Sequence, residues 1–129
     1  MSSLNFPVLI VDDFSTMRRI IRHLLVQIGF TQIEEARDGA EALKKMRRSP
    51  VKLVFSDWNM TPMSGLDLVR EMQADEQLHD TPLIMITSEA RWEKVKTAKE
   101  VGVANFIVKP FNAETLKRKI ETAIGRPLD

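Results

Sequence analysis

The fold is decided by residues 7–17, which read PVLIVDDFSTM. Residues 8–11 form a short apolar run that is rich in β-branched side chains and lies between a proline and two aspartates. Continuous apolar runs of this length are typical of strands that a sheet buries on both faces. We therefore predict a buried first strand that ends at an acidic pair.

The period changes after this strand, because from Ser15 onward the apolar residues recur three and four positions apart. They are Met17, Ile20, Ile21, Leu24, Leu25 and Ile28. This spacing places the apolar side chains on one face of an amphipathic helix, and Gly29 is a typical helix end. The basic residues Arg18 and Arg22 fall mainly on the opposite, solvent side of the predicted helix.

Four further strand–helix pairs follow along the chain. The predicted strands cover residues 33–36, 53–56, 83–86 and 105–108. Among the predicted helices, one opens at residues 38–41 with a sequence that resembles a capping box, and the last is capped by Asn112. Apolar strands without alternation require helices on both faces of a parallel sheet. A closed barrel needs eight such units and about 250 residues, so five units predict an open, doubly wound α/β sheet.

Composition narrows the classes of function. The chain has 129 residues, 43% of them hydrophobic, and it contains no cysteine, which excludes disulfides, thiolate metal sites and a cysteine nucleophile. With 19 basic and 18 acidic residues, the net charge of +1 argues against nucleic-acid binding. Neither a signal peptide nor a membrane-spanning apolar run is evident. We predict a cytoplasmic, monomeric, single domain over residues 1–129, with its core at about 7–125 and no output domain.

Polar residues follow the predicted strands at one edge of the sheet. In open sheets of this kind, ligands bind outside the carboxyl ends of the strands. Asp12 and Asp13 follow the first strand, Asp57 follows the third, Thr87 the fourth and Lys109 the fifth. We therefore expect three carboxylates, a hydroxyl and an ammonium group to gather there.

This set of groups suits phosphoryl transfer. Neighbouring carboxylates repel one another unless a cation compensates, and an all-oxygen ligand set favours Mg²⁺ or Mn²⁺. Lys109 and Thr87 would stabilise charge on a transferring phosphoryl group. A carboxylate can also attack phosphorus directly. Asp57 is the candidate nucleophile, because it stands alone at a strand end and leaves Asp12 and Asp13 for the metal.

The residues named above, in five strand–helix units, closely resemble the receiver domain of two-component response regulators. The resemblance covers about residues 7–125. It is strongest to chemotaxis members of the family at residues 11–19 (VDDFSTMRR), 57–60 (DWNM) and 108–111 (VKPF). It implies a flavodoxin-like sheet with strand order 2-1-3-4-5. It also implies a signalling switch rather than a turnover enzyme, in which Asp57 accepts a phosphoryl group from a histidine kinase of the CheA type and a phosphatase can act as a further partner.

The resemblance also assigns roles around the site. Asp13, Asp57 and the backbone carbonyl of Asn59 would ligate Mg²⁺ directly, and Asp12 would help through a water molecule. Lys109 would contact the phosphoryl group, and its peptide bond to Pro110 would be cis. Thr87 would move towards the phosphate.

A switch and an output surface are implied as well. Phe106 would follow Thr87 inward and remodel the surface of the fourth helix, fifth strand and fifth helix. This surface includes Trp92 and Lys119, and in chemotaxis members it binds the flagellar motor switch protein FliM. Phe106 departs from the usual tyrosine and so lacks the phenolic hydroxyl. Residues 60–63 read MTPM, with the proline one place later than usual.

Three other functions compete with this interpretation. A nucleotide or flavin binder needs a glycine-rich phosphate loop, and two aspartates stand at its place after the first strand. A phosphohydrolase needs a general acid near its nucleophile, commonly as Asp-x-Asp, whereas Asp57 precedes tryptophan and asparagine. The third rival shares the chemistry and stays open: a stand-alone receiver that acts as a phosphate sink or relay, or that docks to a non-flagellar partner.

Overall fold

Strands and helices alternate along the chain. The computed structural model describes residues 6–88 and 92–128, with the backbone alone at position 92. The strands are β1 (Val8–Val11), β2 (Ile33–Ala36), β3 (Leu53–Asp57), β4 (Leu83–Thr87) and β5 (Asn105–Val108). The helices are α1 (Ser15–Ile28), α2 (Gly39–Arg48), α3 (Gly65–Gln73), α4 (Trp92–Val101) and α5 (Ala113–Ile124).

The five strands form one parallel sheet in the order β2-β1-β3-β4-β5. This confirms the predicted open, doubly wound architecture and its strand order. Strands β3 and β4 each run one residue further than predicted, so that Asp57 and Thr87 are the last residues of their strands. The acidic pair at Asp12 lies next to the centre of the sheet, because β1 pairs with both β2 and β3.

Two apolar layers cover the sheet, and successive residues of β1 enter them alternately. Val8 and Ile10 join the layer beneath α1 and α5, while Leu9 and Val11 join the layer beneath α2 and α3. A strand that supplies both layers must be apolar at every position, which explains its unbroken run. Ile20, which we predicted on the buried face of α1, is 45% exposed, because it lies at the edge of the apolar stripe.

Side-chain caps fix where the helices begin. The Glu41 N–H donates to the Asp38 side chain (2.8 Å), but Glu41 Oε1 accepts from the Arg37 N–H rather than from residue 38. The predicted capping box of α2 therefore forms only in half. The complete reciprocal pair occurs at α3, between Ser64 and Asp67. The predicted cap of α5 at Asn112 is confirmed.

Candidate functional site

Three carboxylates meet at the carboxyl edge of the sheet. Asp12 and Asp13 directly follow β1, and Asp57 ends β3. One carboxylate oxygen of each lies within 4.8 Å of the others. Asp12 and Asp57 are 1% and 8% exposed, whereas Asp13 is open to solvent. Two of the three carboxylates are therefore buried, and the third is accessible to solvent.

Strand register brings two of these residues to the same level. Val11 pairs with Ser56 in the parallel ladder of β1 and β3, so the residues that follow them, Asp12 and Asp57, lie side by side. Parallel strands present their carboxyl ends at a single edge, and for this reason the sequence sufficed to predict the cluster.

Gly65 lets the start of α3 approach the end of β3. A Cβ atom on this residue would collide with the backbone carbonyl oxygen of Asp57 and would lie 2.8 Å from the Met85 sulfur. The Gly65 N–H also donates to the carbonyl of Trp58 (2.9 Å). The sequence pattern alone does not single out Gly65. Its close packing against Asp57 depends on an inter-element distance that no local pattern carries.

Only one of the two carboxylate oxygens of Asp12 has a hydrogen-bond partner among the described residues. Its Oδ1 accepts the Phe14 N–H (2.9 Å), whereas its Oδ2 is buried and, within the described residues, has no hydrogen-bond partner. Burial raises the pKa of Asp12 from 3.8 to about 6, and the negative charge of Asp57 acts in the same direction. A buried carboxylate oxygen without a partner is costly, and a cation would satisfy it.

An Asp12→Asn variant is expected to gain stability relative to the wild type as pH rises in metal-free buffer. Asp12 binds its proton more tightly in the folded protein than in the unfolded chain. The stability that this proton adds to the folded state is therefore fully present below pH 3.8 and is lost as pH rises through about 6. The wild type should therefore lose about 2–3 kcal/mol relative to the variant between pH 4 and pH 7. Urea unfolding at both pH values, with EDTA, measures the difference. A gap that does not change with pH would contradict the assignment.

Lys109 and Thr87 complete the edge. Lys109 Nζ donates to Asp57 Oδ1 at 3.2 Å, across 52 residues of sequence. The Lys109–Pro110 peptide bond is cis, as the resemblance implied. The backbone N–H of Lys109 donates to the carbonyl of Thr87 (2.7 Å), and Thr87 is fully buried at the end of β4. Asp57 pairs with Ile86 in the ladder of β3 and β4, so the next residue, Thr87, lies at the same edge of the sheet.

The loop after β3 carries the remaining predicted ligand. Asn59 is exposed there, two residues beyond Asp57. The Thr61–Pro62 peptide bond in this loop is also cis.

Two aromatic side chains contact each other, and one of them directly follows Asp57 in the chain. The half-buried rings of Trp58 and Phe106 meet edge to face, with centroids 6.0 Å apart and planes at 80°. Lys94 Nζ, from α4, lies 5.1 Å from the centroid of the Trp58 ring. The contact links the loop beside Asp57 to β5 and α4. It joins residues that are distant in sequence, and sequence reasoning missed it.

The predicted output residues lie around β5. Lys119 lines a cleft of about 470 Å³ together with Phe106. The backbone carbonyl of Lys119 accepts from Asn105 Nδ2 (3.0 Å), which ties α5 to the start of β5. Trp92 begins α4, but its side chain lies outside the described residues.

The chain is similar to a known protein family. Residues 8–121 match the response regulator receiver domain. The chain belongs to this family. The receiver domain is 47% identical over 122 residues to chemotaxis protein CheY-3 of Vibrio cholerae, a match that covers 95% of this chain and 94% of the relative. It is also 47% identical over 119 residues to chemotaxis protein CheY of Pseudomonas aeruginosa, covering 92% and 96% of the two chains.

Solved structures agree with this assignment. The crystallised chemotaxis protein CheY4 of Vibrio cholerae superposes with a TM-score of 0.86 at 36% identity, covering 92% of this receiver domain and 98% of that chain. The receiver domain is therefore of the CheY type, whose members are signalling proteins and not turnover enzymes. No helix within residues 6–88 or 92–128 is both long and apolar enough to span a membrane.

Proposed function

We propose that this receiver domain is a Mg²⁺-dependent phosphoacceptor switch in chemotaxis, and that Asp57 takes its phosphoryl group from a histidine kinase of the CheA type. The observation that carries the proposal is the position of the Asp57 carboxylate. Asp57 is the last residue of the central strand, and its carboxylate lies beside those of Asp12 and Asp13. Its Oδ1 lies 3.2 Å from Lys109 Nζ.

The donor set fits a hard divalent cation. Three carboxylates offer only oxygen ligands, and the unpartnered Oδ2 of Asp12 faces no competing donor among the described residues. We assign Asp13, Asp57 and the Asn59 carbonyl as direct ligands of Mg²⁺, or of Mn²⁺, and Asp12 as a ligand through water. When bound, the ion supplies positive charge that offsets the carboxylates and the phosphoryl oxygens.

The chain's own groups perform the transfer. An Asp57 carboxylate oxygen forms a bond to phosphorus while the bond between phosphorus and an imidazole nitrogen of the kinase breaks. The electron pair of the broken bond stays on that nitrogen. The Lys109 ammonium group stabilises the negative oxygens of the transferred group, and the Thr87 hydroxyl donates a hydrogen bond to them. Water later hydrolyses the acyl phosphate and restores the carboxylate.

We further propose that the signal leaves through the surface formed by α4, β5 and α5. Phe106 and Lys119 lie in the cleft of this surface, and Trp92 begins its first helix. The phosphorylated form would act as a cytoplasmic monomer and bind a flagellar motor switch protein such as FliM. A phosphorylated form that binds no motor protein would instead favour the alternative, a stand-alone receiver that acts as a phosphate sink or relay or docks to a non-flagellar partner.

Acetyl phosphate with and without Mg²⁺ tests the proposed chemistry. We expect intact mass to show one phosphoryl adduct that forms with Mg²⁺ and is lost on incubation, because acyl phosphates hydrolyse. With EDTA the adduct should not form, since the carboxylate cluster then repels the incoming phosphate. An adduct that forms equally well in EDTA would contradict the metal-dependent switch.

A further inference from the structure

Arg18 joins the acidic site to the neighbouring strand β2. Its Nη1 donates to the backbone carbonyl of Asp12 (2.7 Å), and its Nε donates to Glu35 Oε1 (3.0 Å). The side chain is 18% exposed, although it belongs to the first turns of a helix whose polar side faces solvent. A guanidinium group presents its donors in a fixed plane, so one arginine can hold two acceptors at a set geometry.

The backbone of Asp12 is thereby held on both of its polar groups. Its N–H donates to the carbonyl of Ala36 at the end of β2 (3.1 Å), and its carbonyl accepts from Arg18. That carbonyl belongs to the peptide that leads to Asp13. The bond from Arg18 therefore fixes the direction in which the chain leaves the sheet and the placement of the exposed Asp13 carboxylate.

Glu35 in turn orients Arg18. Its carboxylate also accepts from Arg22 Nε (2.7 Å). Partial burial alone would raise the pKa of Glu35, but the hydrogen bonds from Arg22 and Arg18 bring the pKa below its ordinary value, so the carboxylate is ionised at neutral pH. Arg22 Nη2 donates to the backbone carbonyl of Ile33 (2.8 Å) and not to Asp12. The two arginines share one partner, and the hydrogen bond to the Asp12 carbonyl comes from Arg18.

We propose that Arg18 is a positioning residue for the metal site. It holds the peptide between Asp12 and Asp13 so that their carboxylates stay within ligand distance of Asp57. This role rests on the proposed function, because it presumes that the acidic cluster binds Mg²⁺. Residues that orient metal ligands without touching the ion typically change metal affinity by about 10–100-fold when they are replaced.

Charge and positioning predict opposite results, which makes the role testable. Removal of a positive charge near an acidic cluster should strengthen Mg²⁺ binding by electrostatics alone. Loss of the hydrogen bond to the Asp12 carbonyl should weaken it. Arg18→Gln and Arg22→Gln remove the same charge and the same kind of contact to Glu35, but only the first also removes the bond to Asp12.

The experiment is a Mg²⁺ titration followed by tryptophan fluorescence, with Trp58 adjacent to the acceptor. We expect Arg18→Gln to weaken Mg²⁺ binding about tenfold, and Arg22→Gln to bind as tightly as the wild type or more tightly. Arg18→Lys keeps the charge but loses the planar fork, so it should fall between the wild type and Arg18→Gln. Urea unfolding of each variant confirms that it is folded, and Arg18→Lys carries the comparison if Arg18→Gln is not.

Three outcomes separate the possibilities. An Arg18→Gln affinity equal to or above that of Arg22→Gln would overturn the positioning role while leaving the metal site intact. An Arg18→Lys affinity equal to that of the wild type would show that the planar two-point contact of the guanidinium group with Asp12 and Glu35 is not required, and would also overturn the role. A wild type that binds no Mg²⁺ would overturn the proposed metal site itself, and the role of Arg18 with it.

Discussion

An Asp57→Asn variant is expected to take up no phosphoryl group from acetyl phosphate, even with saturating Mg²⁺. A carboxamide lacks the anionic oxygen that attacks phosphorus. The replacement is nearly isosteric, and an amide oxygen can still accept from Lys109 Nζ, which donates to Asp57 Oδ1 at 3.2 Å. The variant should therefore fold normally, and intact mass should show no adduct under conditions that label the wild type.

A matched control separates loss of the nucleophile from loss of an aspartate in general. Asp38→Asn removes a carboxylate of the same kind at the start of α2, where the amide oxygen can still cap the Glu41 N–H. We expect Asp38→Asn to be labelled like the wild type. A labile adduct that persists in Asp57→Asn would assign the acceptor role to another residue.

A Gly65→Ala variant is expected to lose at least about 3 kcal/mol of unfolding free energy, at the upper end of overpacking effects. Its Cβ would collide with the Asp57 carbonyl oxygen in the central strand and crowd the Met85 sulfur at 2.8 Å. The backbone of a strand paired on both sides cannot retreat, so α3 must shift. Urea unfolding measures the loss, and phosphoryl uptake should fall with it because the peptide of the acceptor is displaced.

Helix propensity predicts the opposite sign, which sharpens this test. Alanine is favoured over glycine within a helix by about 1 kcal/mol, so without the collision Gly65→Ala would be neutral or stabilising. Gly125→Ala provides the comparison, because Gly125 has φ +75° and open space where a Cβ would lie. It should lose only about 1 kcal/mol, from backbone strain alone. Equal stability of Gly65→Ala and the wild type would contradict the packing argument.

The architecture could be predicted because its signals are local. The apolar run at residues 8–11, followed by the helical spacing that starts at Ser15, leaves few options other than a strand covered on both faces. The strand ends were less accessible. Asp57 and Thr87 extend their strands because they pair with Ile86 and Val108 across the sheet, and such pairings depend on tertiary placement.

The candidate site divides in the same way. The gathering of Asp12, Asp13 and Asp57 followed from topology, since parallel strands end at one edge. Arg18 was not accessible to sequence reasoning, because its period assigns it to the solvent side of α1. Its contacts with the Asp12 carbonyl and with Glu35 on β2 depend on tertiary placement, which no local pattern carries.

The long separation between Asp57 and Lys109 also bears on how the molecule is made. The three carboxylates follow β1 or end β3. In the sheet order β2-β1-β3-β4-β5, the last two strands are added outward in the order in which a ribosome delivers them. The ammonium group that pairs with Asp57 emerges 52 residues after it. A nascent chain that has completed β3 therefore already carries the proposed nucleophile, Asp57, but not the ammonium group that pairs with it. Under the proposed function, competence for phosphoryl transfer arrives only with the residue that follows β5, so translation products that end before Lys109 would be silent.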